Sequence, residues 1–352
     1  MKKHTFATAG LALLVGLGGA AAVAAPAQAA TGFKFDHRIA GADRFATAVE
    51  SSKLLEPTDG AATDVVIVNG YATVDGLTAS YLAGLKSAPI LYTDTAGVPA
   101  VTAAEIARLG AKNVWIIGGA DRVPTAQENA WKAAGKDVTR IAGADRYQTA
   151  ALVAEAGGTA TEGDNPNGNS PEQVFIASGT STADALAAGP VAWAKNYPIL
   201  LTEAGSLPKA TSDALAALGT TDRVVLGSSS SVSDAVYAEA KGTSRLGGTS
   251  RQDTATKIAD YATSSQNFDT QSVALVGGAD ATAADALSAA PVAGSQGVPL
   301  VFIDFDGSLG ATTTAYLSAH KASYTGRGTG WIFGGTPSVP QAAADAATAA
   351  VQ

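Results

Sequence analysis

Apolar residues in this chain come in short continuous runs, not in alternation. Val65-Val66-Ile67-Val68, Val174-Phe175-Ile176-Ala177 and Val273-Ala274-Leu275-Val276 read as strands buried on both faces, the pattern of a parallel sheet covered by helices. A second set opens on proline: Pro89-Ile90-Leu91-Tyr92, Pro198-Ile199-Leu200-Leu201 and Pro299-Leu300-Val301-Phe302. Proline is tolerated at the first residue of a strand, where its missing N–H costs little. A third set ends in small residues: Val114-Trp115-Ile116-Ile117-Gly118-Gly119, Val224-Val225-Leu226-Gly227-Ser228 and Trp331-Ile332-Phe333-Gly334-Gly335. Between the first and second sets lie a polar glycine loop and a helix opening Asp75-Gly76-Leu77, Asp184-Ala185-Leu186 or Asp285-Ala286-Leu287. Each Asp precedes its Pro by fourteen residues, which predicts one fixed helix length. Val123-Pro124, Val232-Ser233 and Val339-Pro340 then lead into Ala-rich helices.

The runs therefore recur in threes, and each set is preceded by the same stretch. Arg38-Ile39-Ala40-Gly41-Ala42-Asp43-Arg44 returns as Arg140-Ile141-Ala142-Gly143-Ala144-Asp145-Arg146 and, altered, as Arg245-Leu246-Gly247-Gly248-Thr249-Ser250-Arg251. A period of about 100 residues is too long for a solenoid unit and suits a small domain. The expected organisation is a leader over 1–29 and repeat units over 30–137, 138–243 and 244–352. Strands alternating with helices make the class α/β, with parallel sheets and right-handed crossovers. Asp43, Asp145 and Ser250 are expected N-caps of helices starting at Arg44, Arg146 and Arg251. Arg-Ile-Ala-Gly reads as a strand that either opens its own repeat or completes the preceding sheet. The chain ends on a helix, which favours the first reading. The polar tract Gly163–Ser170 and a six-residue extension of the third copy read as surface loops.

Charge and composition narrow the function. A net charge of −8 argues against nucleic acid and anionic lipid as partners. Lys2, Lys3 and His4, an apolar run from Leu11 to Ala25 and Ala27-Gln28-Ala29 form a secretory leader, so the chain is expected outside the membrane at the cell surface. No other stretch is apolar enough for membrane insertion, and no Cys is present to form disulfides. A Walker phosphate loop and a Gly-x-Ser-x-Gly elbow are both missing. His37 and His320 fall at unmatched positions and read as surface residues; Asp304-Phe305-Asp306-Gly307 reads as a turn, lacking the further ligands of a calcium loop. No catalytic residue, metal or cofactor is expected.

What recurs is arginine: Arg38, Arg44, Arg140, Arg146, Arg245 and Arg251 are six of the ten that follow the leader. They could pair internally and lock repeats together, or form anion sites beside helix N-termini, where the guanidinium fork suits phosphate or carboxylate. Asp75, Asp184 and Asp285 stand at the carboxyl ends of strands, where ligands sit in open α/β sheets. Each could cap its helix or bond ligand hydroxyls. Thr47, Thr149 and Thr254 read as core or capping residues.

The Arg-Ile-Ala-Gly-x-Asp-Arg-aromatic-x-Thr-Ala signature, the Ala-Asp-Ala-Leu helix and the Pro-Ile-Leu-Leu strand, in three copies from Asp36 to about Val351, resemble the cell wall-binding repeat 2 family of Gram-positive surface proteins. The resemblance implies three Rossmann-like (toprim-like) units about a pseudo-threefold axis. It also implies non-covalent attachment to an anionic secondary wall polymer, teichoic-acid-like or an acidic glycopolymer, in clefts between units. The family's Ile-Leu-Leu motif near those clefts corresponds to Ile199-Leu200-Leu201 and is altered to Ile90-Leu91-Tyr92 and Leu300-Val301-Phe302; Ser250 and Gln252 also depart from the pattern. The expected function is thus a secreted, non-enzymatic wall-binding protein. Arg38, Arg44, Arg140, Arg146, Arg245 and Arg251 would hold the polymer, with Asp75, Asp184 and Asp285 orienting hydroxyls. Three repeats fill the stretch after the leader, so anchoring is expected to be the whole function, or a second activity is built on the repeats. The competing readings are a wall-glycan or peptide hydrolase using Asp/Glu carboxylates and an extracellular solute-binding protein.

Overall fold

The repeated sequence folds into repeated structure, offset by one strand. A computed structural model describes residues 32–157, 170–324 and 328–352. The leader expected over 1–29 and nearly all of the Gly163–Ser170 tract lie outside the described residues, as does part of the third copy's extension. The first repeat runs β1 (Phe35–Ile39), α1 (Arg44–Leu55), β2 (Asp64–Asn69), α2 (Thr73–Gly76), α3 (Ala79–Lys86), β3 (Ile90–Thr93), α4 (Ala100–Leu109), β4 (Asn113–Ile117) and α5 (Thr125–Ala133). The second is β5 (Asp137–Ile141), α6 (Arg146–Glu155), β6 (Gln173–Ser178), α7 (Thr182–Lys195), β7 (Ile199–Thr202), α8 (Lys209–Leu218), β8 (Asp222–Leu226) and α9 (Asp234–Glu239). The third is β9 (Ser244–Leu246), α10 (Arg251–Ser265), β10 (Val273–Val276), α11 (Ala283–Gln296), β11 (Leu300–Phe302), α12 (Ala311–His320), β12 (Gly330–Phe333) and α13 (Gln341–Ala350).

These strands form three four-stranded sheets, ordered β3-β2-β4-β5, β7-β6-β8-β9 and β11-β10-β12-β1, with every pair parallel. The Arg strand does not join the sheet of the repeat it opens. It is the outer strand of the preceding sheet, and β1 completes the last one by pairing with β12. The expectation drawn from the helical chain end is corrected here: the missing fourth strand of the last sheet comes from the other end of the described chain. Register is conserved, with Arg38, Arg140 and Arg245 opposite Ile332, Ile116 and Val225.

The Pro-led strands fit their chemistry. Pro89, Pro198 and Pro299 offer only carbonyls, which accept from the backbone N–H of Val66, Phe175 and Ala274 in the central strands. The Asp-led helices meet at the centre. The equivalent residues Ser80, Gly189 and Ala290 converge there: a Cβ on Gly189 would lie 2.9 Å from the Ala290 Cβ and 3.1 Å from the Ser80 hydroxyl. Only small side chains allow three helices so close an approach. Beside this axis Trp193 packs against Gly84 and Gly294, which hold its position in the other two copies. One indole fills a space that three could not.

The fixed spacing did not give three equal helices. α7 and α11 have 14 residues each, whereas the first copy breaks into α2 and α3 around Leu77 and Thr78. One apolar core draws buried residues from all three repeats, among them Val66, Leu82, Phe175, Leu186, Leu287 and Phe333. Two smaller clusters fill the outer sides of the third and second sheets.

Candidate functional site

The two arginines of each motif are six residues apart and reach different places. The first lies on the Arg strand and points into the loop that follows the neighbouring strand. Arg38 Nη1 donates to the carbonyls of Gly334 and Val339, both at 2.9 Å. Arg140 donates from Nη1 to Gly118 O at 2.7 Å, from Nη2 to Val123 O at 2.7 Å and from Nε to Glu128 at 2.8 Å. Arg245 repeats this with Gly227 O at 3.0 Å, Val232 O at 2.8 Å and Asp234 at 3.1 Å. These guanidiniums staple the loop between the strand that pairs with the Arg strand (β12, β4 or β8) and the helix that follows it. The structure does not bring them among the residues lining the inter-unit clefts described next.

The second arginine begins the motif helix, where the expected caps form. Asp43, Asp145 and Ser250 accept from the N–H groups of Ala46, Gln148 and Asp253. Serine in the third copy therefore keeps the capping function of aspartate. Thr47, Thr149 and Thr254 accept from the N–H of Gly41, Gly143 and Gly248 at 3.0–3.1 Å, fixing the loop before each helix. From this helix start Arg44, Arg146 and Arg251 donate Nη1 to the carbonyls of Gly70, Gly179 and Gly278 at 2.7, 2.6 and 2.9 Å. That bond pins one side of each guanidinium, and at Arg251 the same nitrogen also reaches Asp280 at 2.7 Å.

Each of these arginines faces the Asp of the preceding unit, and the last pairing closes the ring. Asp75 and Arg146 line a cavity of about 220 Å³ with Asp121, Arg122, Asp145 and Thr149. Asp285 and Arg44 line one of about 180 Å³ with Asp43, Thr47 and Ser338. Asp184 is influenced in the same way by Arg251 and Thr254. All three carboxyls are raised above the usual carboxylate range, chiefly by burial. Opposing cations limit the rise: Arg122 and Arg146 at Asp75, Arg251 at Asp184 and Arg44 at Asp285, with hydroxyls of Thr254 and Ser338 assisting at the latter two. Among the described residues no ion pair within 4.0 Å joins any of the three facing pairs. The clefts are polar gaps lined by both carboxylates and guanidiniums.

A glycine seats each carboxylate. Gly118, Gly227 and Gly334 have φ of 111°, 99° and 109°, and a Cβ there would come within 3.2, 2.6 and 2.5 Å of the Oδ2 of Asp75, Asp184 and Asp285. The strand carrying the Ile-Leu-Leu motif is buried in all three copies and lines neither cavity. Its variant Tyr92 donates its hydroxyl to Ala284 O of α11, so that departure links the first and third units. Asp304–Gly307 forms a turn, closed by Gly307 N–H to Asp304 O at 3.1 Å. His37 packs edge-on to Trp331 and His320 pairs with Asp260 at 3.0 Å, on separate parts of the surface. Sequence reading missed Arg122, which replaces the Ser231 and Ser338 of the other copies, because it lies outside the repeated motifs.

Residues 38–128, 140–237 and 245–344 match the Cell wall binding domain 2 (CWB2) family, one match per repeat. Among curated proteins the chain is 35% identical over 221 residues to the N-acetylmuramoyl-L-alanine amidase LytC of Bacillus subtilis (strain 168), covering 63% of this chain and 42% of that protein. It is 33% identical over 226 residues to the Amidase enhancer of the same organism, covering 63% of this chain and 29% of the relative. The chain thus spans less than half the length of either. Among solved structures, Cwp8 from Clostridium difficile superposes with a TM-score of 0.76 at 25% identity, covering 90% of this chain and 51% of that one. Cwp6 from the same organism gives 0.73 at 27% identity, with 90% and 48% covered. The family matches fall on the three units that enclose the clefts, and the chain belongs to the Cell wall binding domain 2 family.

Proposed function

We propose that the chain is a non-catalytic module that attaches to the cell wall by holding a secondary wall polymer in its inter-unit clefts. Arg44, Arg146 and Arg251 donate to acidic substituents of the polymer, and Asp75, Asp184 and Asp285 accept from its hydroxyls. Arg38, Arg140 and Arg245 act one step back, by holding the loops that carry the glycines under those carboxylates. The observation that carries this reading is the gap, seen as a cavity at two of the three unit boundaries, between a half-buried or buried carboxylate (Asp75, Asp285) and a guanidinium of the next unit that does not close on it. A structural ion pair would close; a pair held apart offers both walls to a ligand rich in hydroxyl and acidic groups. Export by the leader over 1–29 would place the module at the wall.

The test is sedimentation of the purified protein with isolated walls, before and after chemical removal of their secondary polymers, across a salt series. The expected result is co-sedimentation that disappears with the polymers and weakens with salt. Equal binding to stripped walls overturns the polymer reading. Release of reducing sugar or free amino groups from walls by the purified protein overturns its non-catalytic part.

A further inference from the structure

The two most exposed large apolar side chains among the described residues are both aromatic: Tyr71 at 62% and Phe305 at 63%. Each lies over a cleft arginine. Arg44 Cζ is 4.4 Å from the Tyr71 ring centroid, and Arg251 Cζ is 4.7 Å from that of Phe305. Yet the rings come from different loops. Tyr71 follows Gly70 after β2, where the other copies have Thr180 and Ala279; Phe305 lies in the turn after β11, where the others have Thr95 and Ala204. Two repeats thus put an aromatic on the same guanidinium by different routes. The second repeat has neither ring, and its Arg146 shares a cleft with Arg122 instead.

Both loops are at carboxyl ends of parallel strands, on the side where the clefts open, and both are stiff. Asn69 Oδ1 accepts from the N–H of Tyr71 at 2.8 Å and of Ala72 at 2.9 Å, and Asn69 Nδ2 donates to Arg122 O at 2.8 Å. The Phe305 turn is held by Asp304 N–H to Ser308 O at 2.9 Å and Ser308 N–H to Asp306 Oδ1 at 2.9 Å. Immobilising the arginines does not require the rings, because Gly70 O holds Arg44 and Gly278 O with Asp280 holds Arg251. What each ring adds is a flat apolar face, fixed on one side by the guanidinium and open to water on the other. That is a surface for a ligand with a flat apolar face of its own and polar groups around its edge.

We propose that Tyr71 and Phe305 are stacking platforms for pyranose rings of the wall polymer at the clefts of Arg44 and Arg251. The C–H face of the sugar covers the open side of the aromatic ring. Hydroxyl or acidic groups at its edge reach the neighbouring arginine and aspartate. The cleft of Arg122 and Arg146 lacks a platform and holds its segment by charge and hydrogen bonding. This proposal rests on the wall-polymer reading above. It adds that two of the three clefts select for the sugar ring itself, through contacts that salt does not screen.

The experiment uses the purified chain, walls that retain their secondary polymers, and the variants Tyr71→Ala, Phe305→Ala and their double. Each single variant is expected to weaken binding about fivefold and the double more than tenfold, at low and at high salt alike. Tyr71→Phe and Phe305→Tyr, which keep the ring, should bind as the wild type does. Saturation transfer from protein to the ring C–H protons of polymer released from the walls should be seen with wild type and be lost in the double variant. Thermal melts that match the wild type would show that each variant is folded. Equal binding by wild type and double variant overturns the platforms alone, as does a loss that the ring-keeping variants share. A wild type that sediments with no wall preparation overturns the wall-polymer reading and the platforms with it.

Discussion

Arg140 and Arg146 belong to one seven-residue motif, carry the same charge and do opposite things. Arg140, on a strand, sends all three of its donor nitrogens into the sheet that strand completes, to two backbone carbonyls and Glu128 of the preceding repeat. Arg146, at a helix start, donates once, to Gly179 O, and otherwise faces a polar cavity across a unit boundary. The difference lies in what surrounds them. A loop with unpaired carbonyls uses up a guanidinium, because buried acceptors must find donors. A cleft wall with one pinned nitrogen leaves the remainder for a ligand. Six residues of sequence, from a strand through a loop into a capped helix, turn a fastener into a binding group.

The comparison can be broken most forcefully on the stapling side. Arg140→Ala removes three hydrogen bonds of a largely buried guanidinium and leaves two carbonyls without it; the expected loss is about 2–4 kcal/mol of stability. Thermal or denaturant unfolding reads it directly. Arg245→Ala should follow closely, and an Arg140→Ala protein as stable as wild type would remove the stapling role. On the cleft side the pattern should invert. Arg44→Gln, Arg146→Gln and Arg251→Gln together should weaken wall binding at least about tenfold, or roughly 1.4 kcal/mol. Arg44→Gln and Arg146→Gln should each cost only about 1 kcal/mol of stability for the one bond lost, and Arg251→Gln about 1–2 kcal/mol because it also loses the exposed Asp280 pair. If both series reduce stability and binding in the same proportion, the two arginines share one role. A smaller, diagnostic effect is expected from Gly227→Ala and Gly334→Ala, whose added methyl meets the Asp184 or Asp285 carboxylate. Binding should fall by a few-fold, with a stability loss of about 1–2 kcal/mol from the positive φ and the close contact.

How much of this was legible in advance depends on how local the cause is. Strands β2, β6 and β10 were readable because a strand covered on both faces writes an unbroken apolar run. The helix starts at Arg44, Arg146 and Arg251 were readable because Asp43, Asp145 and Ser250 cap them from one residue away. The ownership of the Arg strand was not. It is settled by pairings such as Ile39 with Phe333, distant in sequence, and no local pattern says which sheet lacks an edge. The break between α2 and α3 was hidden by a spacing that counts residues without reporting their conformation. In the clefts, composition could show that arginine is concentrated in the motif but not that its two positions diverge. The kinship of Tyr71 and Phe305, the latter read only as part of a turn, was not legible because they occupy different columns of the repeat and become equivalent only through the arginines beneath them.

The smallest expected effect separates the two walls of a cleft by pH. Burial raises the folded-state pKa of Asp285 above its unfolded value, with Arg44 and the Ser338 hydroxyl opposing it. The folded protein therefore holds a proton on this group more tightly than the unfolded chain does. The stabilisation that follows is fully present below the unfolded carboxylate value, near about 4, and is lost as pH rises through the folded value. At neutral pH the ionised, buried carboxylate is a stability cost that the cleft retains. Asp285→Asn should then melt roughly 2 °C above wild type at pH 7, with the difference vanishing in acid, where both side chains are neutral. Wall binding by the same variant should fall, because an amide offers one acceptor oxygen where the carboxylate offers two. A variant that gains stability and keeps its binding would make the carboxylate a passenger of the fold. One that gains stability and loses binding identifies the cost as the ligand's share of the cleft.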